Sequence, residues 1–209
     1  MIGSELFQLT TNILDGEVIP EDFYYKLLNI AKTRLEESRA WSYLKKLDSS
    51  NMTTISAITL PTDFRLDYKV IVGTNQEYFP VPFEDQHLYQ TIGNHYYLDI
   101  ANNNYYLTGT PKSETIYFYY LRTTDDITDA TAPVFPARFH PLLAFYVAGY
   151  YQLGVDSDDL FARMAPENKT QALLLEQSMK LWDTNLQAKS RNNRVGVADS
   201  EPTNDLSQW

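Results

Sequence analysis

Residues 139–153, FHPLLAFYVAGYYQL, are apolar nearly all round, and no other stretch restricts the possible folds so strongly. A helix that is hydrophobic on every side cannot lie on a surface, so it belongs at the centre of a packing of other elements. Pro141 is tolerable there only in the first turn, where no helical N–H is missed. Gly154 supplies the stop. The longest apolar run, 142–151, falls far below the ~20 residues that span a bilayer. The rest of the chain must therefore provide the cover.

Three segments offer it. Residues 4–14 form a short helix with Ser4 as N-cap, ending near Asp15 and Gly16. A second helix begins with Pro20 at its first position and Glu21 and Asp22 in its first turn, which suits both the fixed proline φ and the helix dipole. In it Phe23, Leu27, Ile30, Ala31 and Leu35 make the inward stripe while Lys26, Thr33 and Glu36 face water, and the helix runs on past Trp41. A third helix begins at Pro166, where Ala172, Leu175, Met179, Trp182 and Leu186 alternate by three and four as a packing seam, fading by about Ser190.

Between 52 and 122 the pattern is β: short runs rich in β-branched and aromatic residues, broken by Gly, Asn and Pro. The clearest hairpin joins 95–100 to 105–108 across Asn102, Asn103 and Asn104. Pro80 and Pro82 restrict their run to an edge strand or an irregular crossing. Connections too short for crossover helices imply antiparallel pairing, with 84–90 as an inserted helical turn. The fold class is α+β: a helical bundle from the N- and C-terminal helices, an inserted antiparallel β subdomain and an extended C-terminal tail. The divisions are 1–50 and 123–190 for the helical parts, 51–122 for the β subdomain and 191–209 for the tail.

Charge narrows the function. Seventeen Lys and Arg against 27 Asp and Glu leave a net charge of −10, the opposite of the basic footprint of a nucleic-acid binder. A negative channel wall would instead keep a passing duplex from sticking. Sixteen tyrosines supply rings that pack while their hydroxyls stay wet, a property that suits both a β core and an interface. With no cysteine, neither disulfides nor thiolate metal sites can form. The N-terminus lacks the basic start and long apolar core of a signal peptide.

Catalytic patterns are missing. His87, His95 and His140 have no second ligand at helical spacing. Asp156, Asp158 and Asp159 resemble a calcium loop, but the sixth position is Phe161 rather than Gly, so capping by Ser157 or Asp158 ahead of Leu160 is the better role. No phosphate loop, nucleophile elbow or dinucleotide fingerprint occurs, and Asp125 with Asp126 is a pair that an acidic chain holds by chance. Tyr96, Tyr97, Tyr105, Tyr106, Tyr117, Tyr119 and Tyr120 are able to stack sugars or bases, yet few cations accompany them. No enzyme, cofactor or metal is expected.

The stretches FHPLLAFYVA, GVDSDDLFARMAPENK and LWDTNLQAKSRNNRVG, with RAWSYL, TLPTDF, HYYLDI and YYLTGTP upstream, resemble the head-tail adaptor (connector, or head-completion) proteins of tailed bacteriophages. The resemblance implies a virion structural protein at the head-tail junction, made in the host cytoplasm. It also implies a ring of twelve copies under the portal, whose lumen carries DNA without specific binding. The partners that the resemblance implies are the portal, tail or neck proteins and further copies of the chain, with no membrane. The tail 191–209 is the expected docking element for the portal or a neighbour, through Arg191, Arg194, Leu206 and Trp209. Another neck or tail-completion protein is the alternative, and a carbohydrate-binding β module a more distant one.

Overall fold

A computed structural model describes residues 1–51, 57–109, 114–153 and 163–192, without the side chains of Asn51 and 189–192. The fold is α+β, with helices and a mixed, mostly antiparallel sheet.

Helix α1 spans Gly3–Ile13. Its N-cap is Ile2 rather than Ser4, because the Glu5 carboxylate reaches back and accepts from the Ile2 N–H at 2.9 Å. Ser4 is already helical, and its N–H donates to Asp129 O at 3.0 Å. Gly3 is required by proximity: a Cβ there would stand 1.9 Å from Thr128 O. The helix stops where expected, with Asp15 and Gly16 both at positive φ.

Helix α2, Glu21–Glu37, has Pro20 as N-cap, one residue outside the helix. Its buried face is Tyr24, Leu27, Leu28, Ala31, Lys32, Leu35 and Glu36, which corrects the expected stripe. Phe23 and Ile30 are exposed, and Glu36 is buried rather than solvated. Two apolar rows at helical spacing run along this helix, and the one that packs against the central helix won. Lys32 can follow it inward because its ammonium donates to Thr124 O and Asp125 O, both at 2.9 Å, and to Asp126 Oδ1 at 3.2 Å. Nor does the helix run past Trp41. The Leu35 carbonyl, left open at the helix end, accepts from Ser38 Oγ at 2.7 Å and from Trp41 Nε1 at 2.6 Å, which turns the chain back and buries the indole.

Helix α3 is the short Gln86–Tyr89. The apolar segment is α4, Pro141–Leu153, buried at every position from Leu142 to Tyr150, and it packs against α1 and α2. Helix α5, Pro166–Asn192, also packs against α4. Gly154 and the acidic cluster Asp156, Asp158 and Asp159 with Ser157 lie outside the described residues.

Among the described residues seven strands form one sheet in the order β1-β7-β3-β4-β5-β6-β2: β1 Lys45–Asn51, β2 Ile58–Thr59, β3 Phe64–Val72, β4 Gln76–Pro80, β5 His95–Asp99, β6 Asn104–Leu107 and β7 Thr115–Arg122. Strand β1 was not anticipated; its sequence KKLDSSN lacks the apolar alternation that marks a strand. The expected hairpin is β5–β6, with Asn103 at φ 55° in the turn. Pairing is antiparallel except between β4 and β5, which run parallel at Phe79 with His95 and Pro80 with Tyr96. The expectation of wholly antiparallel pairing fails because residues 81–94, with α3 inside them, are long enough to cross over. Pro80 fits the ladder because Phe79 and Val81 supply its N–H groups, donating to Asn94 O at 2.9 Å and Tyr96 O at 2.8 Å.

The sheet curls until β6 faces β7, and Tyr105 stacks on Phe118 with centroids 4.5 Å apart. Val70, Tyr78, Tyr96, Ile116 and Tyr120 complete this second core, separate from the helical one. Along β7, Phe118 and Tyr120 serve the β core while Leu121 serves the helical core.

Candidate docking surfaces

Two of the motifs that carry the resemblance are structural partners of each other. Asp183, from LWDTNL in α5, is fully buried. Its Oδ1 accepts from the Ser42 N–H at 2.6 Å and its Oδ2 pairs with Arg39 Nε at 3.1 Å, both from RAWSYL. Gln187 Nε2 donates to the same carboxylate at 2.8 Å. This buried charge, satisfied on both oxygens, ties the last helix to the turn between α2 and β1. Asp63, in TLPTDF, accepts from Tyr120 Oη and Lys46 Nζ, each at 2.8 Å. His140, in FHPLLA, is buried with Nε2 2.8 Å from Phe135 O, and burial pulls its pKa below the usual imidazole value.

A second polar cluster joins α2 to residues 123–131, which leave β7. Asn29 grips Ile127 on both sides, its Nδ2 donating to the Ile127 carbonyl at 3.1 Å and its Oδ1 accepting the Ile127 N–H at 2.8 Å. Glu36 Oε1 accepts from Thr124 Oγ1 at 2.6 Å. Burial raises the Glu36 pKa above the ordinary carboxylate value, opposed by the Thr124 bond and by Lys32, Arg65 and Arg122. These contacts fix the two cores against each other; Asp126, one of the paired acids, is held by Lys32.

The tyrosines divide between core and surface. Tyr96, Tyr105 and Tyr120 are buried, whereas Tyr97 and Tyr106 stack at 5.0 Å on the outer side of β5 and β6. Beside them Phe79, Phe83, Leu88 and Ile92 are exposed. From Val70 to Gly109 the chain holds no Lys or Arg; Asp99 is buried and Glu77 pairs with Lys69 at 2.9 Å, which leaves Glu84 and Asp85 beside these apolar groups. On the opposite outer face, Leu47, Ile71, Tyr117 and Tyr119 line a shallow depression of about 550 Å³ with Glu114, and Lys45 lies over the Tyr68 ring.

The third surface is on the helices. A groove of about 710 Å³ runs between α5 and the 3₁₀ turn Ala137–Phe139. Leu175, Leu181, Trp182 and Leu186 line it with Phe139, and among the described residues Arg138 is the one charged residue in its wall and no carboxylate lines it. Trp182 is half-buried against Phe139, 5.7 Å between centroids, so it belongs to the groove and not to the closed core. The seam residues Ala172 and Met179 are buried as expected, but Leu186 is exposed. Exposed Leu173, Leu174 and Leu181 are the signal the periodicity left unused, being more apolar residues than one seam needs.

Of the expected docking residues, Arg191 lies within the backbone of α5, one residue before its end, with its side chain outside the described residues. Arg194, Leu206 and Trp209 lie outside them altogether. Among the described residues no three His, Asp or Glu side chains converge as a metal site, and no helix is long and apolar enough to cross a membrane.

No curated protein matches the chain. A family profile described as SU10 adaptor protein matches residues 8–196, nearly the whole sequence and every motif quoted above. The chain belongs to the SU10 adaptor protein family, as its resemblance to phage head-tail adaptors implies.

Proposed function

We propose that this adaptor sits at the head-tail junction of the virion, where twelve copies form a ring under the portal, lengthen the DNA channel and seat the tail. The match to an adaptor family over residues 8–196 carries this reading. Its surfaces support it. A cyclic ring is built from heterologous contacts, so each subunit needs two different adhesive faces, and apolar patches are exposed both on α5 and on opposite sides of the β layers. Large exposed apolar surface of this kind marks contact with other proteins. In this account the helices at both ends of the chain act as one bundle, residues 51–122 act as an inserted β subdomain, and the role is structural rather than catalytic. In the assembled particle the tail 191–209 docks onto the portal or a neighbouring subunit, Arg191 and Arg194 meeting acidic groups and Leu206 and Trp209 filling apolar pockets. Phage grown without this protein should accumulate filled heads lacking tails, and tails should join once the purified protein is added. Normal tailed particles in its absence would overturn the assignment.

A further inference from the structure

We infer that in the separate subunit the groove between α5 and Phe139 is occupied by the chain's own residues 193–209. The groove offers apolar Leu175, Leu181, Trp182 and Leu186 beside one cation, Arg138, whose guanidinium carbon lies 4.6 Å from the Phe139 ring centroid. Leu181 is 65% exposed, on a helix whose opposite side is buried in the core. Such a surface calls for an acidic segment with apolar anchors. Residues 193–209 are one: Asp199, Glu201 and Asp205 stand against Arg194 alone, and Leu206 and Trp209 supply the anchors.

Distance favours the same assignment. Helix α5 ends at Asn192, ten residues beyond Trp182, or ~15 Å along the axis. Residues 193–209 reach up to ~56 Å when extended, enough to turn back and lie along the groove. A tethered segment meets its own groove at an effective concentration on the order of millimolar, far above that of any neighbour in dilute solution. Own-chain occupancy covers the apolar strip before assembly and releases it, with the segment, when a partner competes. The contact belongs to the isolated subunit and does not depend on the ring.

The chain has no cysteine, so Ser207→Cys gives one attachment point for a benzophenone photo-crosslinker on the full-length protein. Irradiated at submicromolar concentration and mapped by mass spectrometry, it should join residues 175–186 or Arg138 and Phe139 of the same chain. The yield per molecule should be independent of protein concentration. Leu181→Asp and Arg138→Glu, both at exposed positions, should each cut that yield about tenfold while leaving the circular dichroism spectrum unchanged. Crosslinks mapping elsewhere, a groove yield that rises with protein concentration and so comes from a neighbour, or a yield indifferent to Leu181→Asp would each overturn the inference. Tail joining by the unlabelled protein tests the adaptor role separately.

Discussion

Glu36 is a carboxyl kept 5% exposed for the sake of one bond to Thr124, and burial raises its pKa. A raised folded-state pKa means that the contribution of this group is fully present below the ordinary carboxylate value of 4.5. It is lost as pH rises through the folded value. Glu36→Gln keeps an acceptor for Thr124 and removes the charge, so it should raise Tm at pH 7, with the gain shrinking to nothing below pH 4.5. Thermal melts across that range check it; equal shifts at both ends would show that the charge is not what matters. Met179 and Trp182 separate the core from the groove. Met179→Ala, at a fully buried site, should cost about 2–5 kcal/mol, whereas Trp182→Ala should cost roughly half the 3–5 kcal/mol of a buried tryptophan. Denaturant titration of both variants decides which side chain is the interior one. Sequence reasoning could name Trp182 as a seam residue, but helical spacing does not tell a closed seam from one side of an open groove.

At the scale of elements, the segment leaving β7 holds the two cores in register. Asn29→Ala leaves both the N–H and the carbonyl of Ile127 without their partner, at a cost of about 1–3 kcal/mol. Amide hydrogen exchange at Ile127 should accelerate in that variant; unchanged protection would mean that the contacts of the segment with Lys32, Glu36 and Ser4 are enough to hold it. Most elements were legible because their signals are local: an all-apolar run for α4, a proline just before α2 and one at the first position of α5, an Asn turn for the β5–β6 hairpin. What was not legible depended on distant partners. Strand β1 is polar and paired only by β7, the buried side of α2 was chosen by α4 and by the oxygens around Lys32, and the parallel β4–β5 pair needed a crossover that composition does not advertise. The docking surfaces were legible only as an excess of leucine and aromatic residues. Truncation after Ser190 should leave the fold intact, because every buried residue of the described cores precedes it, and should lower Tm only by the lost groove contact, while incorporation into heads falls. Normal incorporation would make the helices and not the tail the attachment surface.

For the whole molecule, the separate helical and β cores, the buried tie between Arg39, Ser42 and Asp183, and apolar patches left open on several sides suit a rigid part awaiting neighbours. In the proposed ring, a net charge of −10 would keep a passing duplex from sticking to the wall. Electron microscopy of the purified protein mixed with its own portal is the decisive test of the proposed ring. A closed twelve-fold ring stacked coaxially on the portal, with an open channel along the axis, is the expected image. A portal that remains bare at saturating protein, or subunits bound singly without closing a ring, would contradict it.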